Sequence, residues 1–172
     1  MAEVLAVAGG IAAIVQLAAC GKKLARALHR FSRDVVDARA DVRRFENQVS
    51  IFCAVIEAAQ QTIFRYCREN PESLLVTYIN RSGVLDLINL EAGIVRRHLL
   101  DIRVQVLGMK STFVFWASIK WGIKKSSFKE VVPEMESIKA SLILLVSTTQ
   151  LEPLCLRLNH ASEPDQDLER EV

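Results

Sequence analysis

A chain of 172 residues with 51% hydrophobic and 24% charged side chains is long enough for one buried core and too apolar to stay disordered. Its 7 glycines and 4 prolines allow few turns, which argues against many short strands and for long helices. The net charge of +2 selects no class of partner by itself.

The first element is the most informative. From Val4 to Cys20 no residue is charged, and Gln16 is the only strongly polar one. Val4, Leu5, Val7, Ile11, Ile14, Val15 and Leu17 supply its apolar bulk, and Gly9 and Gly10 permit close helix approach. Leu17-Ala18-Ala19-Cys20 has the look of a lipoprotein cleavage box, but the positive leader such a signal needs is missing, because Glu3 is the only charge before the run. A permanent transmembrane helix also fits poorly. Seventeen residues rise about 25 Å, short of the ~30 Å hydrocarbon layer, and alanine and glycine insert weakly. Two readings remain: a buried core helix, or a segment packed at rest and released to a membrane on activation. On the residues alone the buried helix is the simpler.

Gly21 has the character of a helix-terminating residue, with Lys22 and Lys23 suited to a helix C-terminus. A second helix is expected to begin near these lysines. Val35, Ala38, Val42, Phe45, Val49, Phe52, Ile56, Ala59, Ile63 and Tyr66 then alternate at spacings of three and four. That pattern predicts a coiled-coil-like seam, with Phe45, Val49, Phe52 and Ile56 at its core. Asn70-Pro71 ends it. Residues 71–83 are ambiguous, apart from a turn at Ser82-Gly83. Val84, Ile88, Val95, Leu99, Ile102 and Val106 predict a third long helix, broken in pattern only at Glu91 and interrupted near Lys110-Ser111-Thr112. Phe113, Phe115, Trp116, Ile119 and Trp121 form an aromatic-rich cluster. The S-x-x-E spacing from Ser127 to Glu130 predicts the start of a last helix, which Pro133 should bend or delay to about Val132. That helix carries Phe128, Val131, Met135, Ile138, Leu142, Leu145 and Thr149, and Glu152-Pro153 should weaken or end it. The expected fold is all-α, an antiparallel bundle of four to five helices with an apolar N-terminal helix, over residues 1–158. Residues 159–172 read as an acidic, disordered tail or the start of a linker.

No catalytic or metal-binding pattern emerges, and no cofactor is implied. His29, His98 and His160 stand on separate segments, and no H-E-x-x-H spacing accompanies them. Gly9-Gly10 lacks the Gly-Lys-Ser/Thr of a phosphate loop, and there is no G-x-S-x-G elbow. Cys20, Cys53, Cys67 and Cys155 match no zinc spacing and no CxxC motif, and read as reduced thiols of a reducing compartment. One charge feature stands out. Arg96, Arg97, Arg103, Lys110, Lys120, Lys124, Lys125 and Lys129 lie in a stretch whose only acid is Asp101. Lysines beside tryptophans suit a lipid headgroup layer or nucleic acid. The plainer reading, and the favoured one, is a solvated basic face beside a buried tryptophan.

Two stretches carry a family resemblance. The first is residues 1–24: a charge-poor helix with Gly9-Gly10, then Lys22-Lys23. The second is Ile119-Lys120-Trp121-Gly122-Ile123-Lys124-Lys125, followed by a helix reaching Leu142-Ile143-Leu144-Leu145. With the heptad helix between them, the chain from 1 to about 155 resembles the HeLo-like domains at the N-termini of fungal STAND (NLR-type) proteins. These are distantly similar to the four-helix domain of mixed lineage kinase domain-like protein. Many such domains precede a nucleotide-binding module or an amyloid-forming motif, and neither is visible in this sequence.

The resemblance implies a non-enzymatic effector of fungal programmed cell death, incompatibility or innate immunity. It would be cytoplasmic at rest and at the plasma membrane when active. It implies self-association, anionic lipids and a STAND receptor as partners, and no nucleic acid. The membrane-permeabilising helix would be Ala2 to Ala19, with Val4, Leu5, Val7, Gly9, Gly10, Ile11, Ile14, Val15 and Leu17 as its inserting residues. Lys22, Lys23, Lys120, Trp121, Lys124 and Lys125 would meet lipid headgroups. The alternative is a soluble oligomerisation or adaptor module whose first helix never leaves the bundle.

Overall fold

The computed structural model describes residues 2–35, 37–109 and 114–161; the side chains of residues 1–11, 36, 110–117, 127 and 156–172 lie outside that description. The expected acidic tail and the interruption at Lys110-Ser111-Thr112 therefore fall outside it, apart from the helical backbone as far as Ala161. The described part is all-α: α1 (Ala2–Asp34), α2 (Arg39–Glu69), α3 (Leu74–Arg81), α4 (Val84–Gly108) and α5 (Val114–Ala161), with no strand among the described residues.

The first helix does not stop at Gly21. It continues to Asp34, and Gly21 is buried inside it. Gly83 is the only glycine among the described residues with a positive φ, so Gly21 does not serve as a left-handed cap. Its role is its missing side chain. A Cβ there would lie 2.4 Å from Cys53 Sγ of α2, so α1 and α2 approach closely at this point. The chain turns instead at Val35–Ala38, where Val35 is fully buried. Arg39 Nε donates to the carbonyls of Ser32 (3.2 Å) and Val35 (3.3 Å), satisfying oxygens that the end of α1 leaves without helical donors.

Along α2 the heptad reading holds: Val42, Phe45, Val49, Phe52, Ile56, Ala59 and Ile63 are all buried. Ala38 and Tyr66 pack partly against the same core. Asn70 ends the helix, its backbone N–H and side-chain amide both donating to Tyr66 O. The ambiguous 71–83 stretch contains α3. Its N-terminus is capped by Ser73, whose hydroxyl accepts from the N–H groups of Leu75 and Val76. Glu152 of α5 reinforces this cap, accepting from Ser73 Oγ (2.6 Å) and Leu75 N (3.2 Å). A cap shared with a residue 79 positions away could not be read from local pattern. Gly83, at φ 67°, makes the expected turn into α4.

α5 departs most from expectation. It does not begin at Ser127 but is already helical from Val114, and neither Pro133 nor Pro153 ends it. Both prolines are exposed, as is Lys129, whose carbonyl loses its helical donor to Pro133. Solvent can satisfy that oxygen, so the helix survives the interruption.

The core is one continuous cluster drawn from all five helices. α1 is central, packing on both α2 and α4, and α5 closes against those two from the other side. Lys22 pairs with Glu57 (2.6 Å) and His29 with Glu46 (3.0 Å), so α1 and α2 run in opposite directions. Gln16 Oε1 accepts from Arg96 (2.6 Å), which fixes α4 against the middle of α1.

Candidate functional site

The first helix sorts its proposed insertion residues by depth. Ile14 and Leu17 are buried, at 1% and 0% exposure, whereas Val15 is 47% exposed. The side chains of Val4, Leu5, Val7 and Ile11, and the surroundings of Gly9 and Gly10, lie outside the described residues. Further along, Ala18, Leu24, Leu28 and Phe31 are buried too, so α1 is anchored well past Cys20. Counted one residue for one from the Lys22–Glu57 pair, α1 reaches Gly10 where α2 ends at Glu69. From Ile14 onward one face of α1 is bedded in the core, with Ile14, Leu17 and Ala18 buried and Val15 turned outward.

The basic segment at the start of α5 splits by face. Trp121 is 2% exposed and is a core residue, which corrects its assignment as a surface headgroup contact. It sits among Phe31 (6.0 Å), Phe45 (6.5 Å) and Phe128 (5.2 Å), ring centroid to ring centroid. Among the described residues its indole N–H has no hydrogen-bond partner. Ile119, Lys120, Ile123 and Lys124 take the outward face, and Ile123 is 69% exposed. Lys125 is half-buried and pairs with Asp41 of α2. That hydrogen bond, aided by the charges of Lys125, Arg44 and Lys129, holds the Asp41 carboxyl below its usual range.

Of the other headgroup candidates, Lys22 and Lys23 are both exposed, and Lys22 is held by Glu57. The structure does not bring these two together with Lys120 and Lys124 in any one cleft; Lys125 instead lines a groove between α2 and α5 with Asp41, Arg44 and Lys129. A constellation that the sequence reading passed over lies between α1 and α4. There Lys23, Arg26 and Arg30 face Arg103 across a cleft floored by Ala27. The signal was present as the spacing of Lys23, Arg26 and Arg30 on one helical face, but nothing in one helix says that Arg103 lies opposite.

His29 and His98 each meet a single carboxylate, Glu46 at 3.0 Å and Glu134 at 2.8 Å. Among the described residues, no group of three or more His, Cys, Asp or Glu is placed to hold a metal. All four cysteines are free thiols; Cys20, Cys53 and Cys67 are buried, and Cys155 is exposed. Burial pushes all three buried thiols up, Cys53 to about 11 with help from the nearby Glu57 charge. They are therefore poor nucleophiles at neutral pH. Among the described residues, no helix is long and apolar enough to cross a membrane.

No family model, curated protein or solved structure matches this chain.

Proposed function

We propose that the chain is a HeLo-like, membrane-directed effector domain of fungal programmed cell death: an antiparallel bundle of four to five helices whose first helix acts on the plasma membrane after self-association. The domain spans residues 1–158, with 159–172 as a tail, and works as a binding module without catalysis or cofactor. It rests in the cytoplasm, and a STAND-type receptor controls its activation. The observation that carries the reading is the charge-free run from Val4 to Cys20. Its later part is held in the core at Ile14 and Leu17.

One further feature supports it. Ile119 and Ile123 alternate with Lys120 and Lys124 on the outer face of α5, which suits a headgroup layer rich in anionic lipid. The first helix acts in numbers or lies within the interface.

The depth of Ile14, Leu17 and Ala18 favours the second reading, a soluble adaptor whose first helix stays in place. Dye release from anionic vesicles decides between them. Deleting residues 2–11 spares the buried residues from Ile14 on, and a thermal melt establishes that the shortened chain folds. On the effector reading, wild type releases dye and the deletion loses most of that activity. If the folded deletion leaks vesicles as well as wild type does, the helix is not the effector. If neither protein releases dye, even when forced to oligomerise, the adaptor reading replaces this one.

A further inference from the structure

The cleft between α1 and α4 has an unusual charge balance. Lys23, Arg26 and Arg30 project from α1 at successive spacings of three and four, and Arg103 faces them from α4. Ala27 and Leu107 complete the walls, and no acid lines the cleft. Asp101, the nearest acid on α4, turns to the opposite groove with His98 and Glu134. None of the four cations forms an ion pair with a described residue; Arg26 Nε donates only to the backbone carbonyl of Lys22 (3.3 Å). Elsewhere Lys22, Lys125 and Lys139 each find a carboxylate. Four like charges around one small space repel one another, and an anion placed among them relieves that repulsion.

We propose that this cleft binds a compact, multiply charged phosphate group, held by Lys23, Arg26, Arg30 and Arg103. Guanidinium forks suit phosphate oxygens because each can donate two parallel hydrogen bonds, and three of the four cations are arginines. The size limits the ligand. At about 140 Å³ the cleft is smaller than the ~300–1,000 Å³ of sites that enclose drug-sized molecules. The phosphate therefore enters alone, with whatever carries it left outside. The carrier is either a soluble polyphosphorylated molecule or a lipid with a phosphorylated headgroup. The site does not depend on release of the first helix, since three of its four cations lie beyond the proposed headgroup lysines and all four lie outside residues 4–20.

Calorimetric titration of the full chain tests it, with inorganic tripolyphosphate as the soluble probe. Vesicles with phosphomonoester headgroups, compared with vesicles carrying phosphodiesters at equal charge, form the second arm. Arg30→Gln and Arg103→Gln are expected to weaken binding about tenfold or more each, the size expected for a lost charge-assisted hydrogen bond. Arg65→Gln, an exposed cation on α2, should leave it unchanged. Thermal melts establish that all three variants fold. Cleft-dependent binding of tripolyphosphate assigns a soluble ligand, and cleft-dependent binding of phosphomonoester vesicles alone assigns the lipid. Equal loss in Arg65→Gln would mean that only net charge is sensed and would overturn the site, as would failure of both probes to bind wild type.

Discussion

Gly21 faces Cys53 where α1 and α2 approach closely, and there is no room between them for a side chain on Gly21. Gly21→Ala gains about 1 kcal/mol of helix propensity but forces a methyl group to within 2.4 Å of Cys53 Sγ. Overpacking typically costs about 1–3 kcal/mol, so a net loss is expected. Combining it with Cys53→Ala should recover part of that loss. A double-mutant cycle in urea measures the recovery, and simple additivity would show that the contact is not tight. Cys53 also sets a pH dependence. Burial raises its thiol from 9.0 to about 11, so folding favours the neutral form. The stabilisation is complete below pH 9 and is lost as pH rises toward 11, by roughly 2–3 kcal/mol for that shift. Cys53→Ala should flatten this alkaline loss relative to wild type in urea melts across that window. Below it, a thiol-reactive dye should label Cys155 quickly and the three buried thiols only on unfolding.

At the scale of elements, α2 and α5 meet through an aromatic cluster. Phe45 and Phe128 stack at 6.1 Å with planes 15° apart, and Trp121 fills the space beside them. Trp121→Phe should cost little, because it removes an N–H that has no partner among the described residues along with some ring area. Trp121→Ala should cost about 3–5 kcal/mol. If Phe and Ala are equally damaging, the indole N–H has a partner that the packing does not reveal. Phe52, 1% exposed in the seam of α2, gives the cleanest test of register. Phe52→Ala should cost about 3–5 kcal/mol in chemical denaturation, and a loss below about 1 kcal/mol would place it on the surface.

For the whole molecule, the decisive fact is how deeply α1 is held in the core from Ile14 onward. Deleting residues 2–20 removes Ile14, Leu17, Ala18 and Cys20 from the core. Truncations of that kind cost several kcal/mol each, against a total stability of about 5–15 kcal/mol. That deletion should show no cooperative thermal transition, whereas deletion of residues 2–11 should keep one. Withdrawing α1 uncovers the faces of both α2 and α4. On the effector reading, a partner or a second copy must stabilise those faces once they are uncovered.

The sequence by itself determined the all-helical class, the seam of α2, the start of α4 at Gly83 and the depth of Phe45, Val49, Phe52 and Ile56. Each rests on periodicity within one helix, where neighbours three and four residues apart share a face. Only the tertiary structure decided that Gly21 is a crossing point and not a cap, because its partner Cys53 lies on another helix. The same holds for α5. Local signals at Ser127 and Pro133 argue for a break, but exposure of the prolines lets water replace the missing donors while Phe128, Met135 and Leu142 hold the helix in the core. Trp121 faces inward for a related reason: the lysines beside it can reach solvent, and three aromatic rings from α1, α2 and α5 receive the indole. The cleft of Lys23, Arg26, Arg30 and Arg103 joins residues of α1 to one more than seventy positions along the chain on α4. Its charge is written in the sequence, but its convergence exists only once α1 and α4 pack.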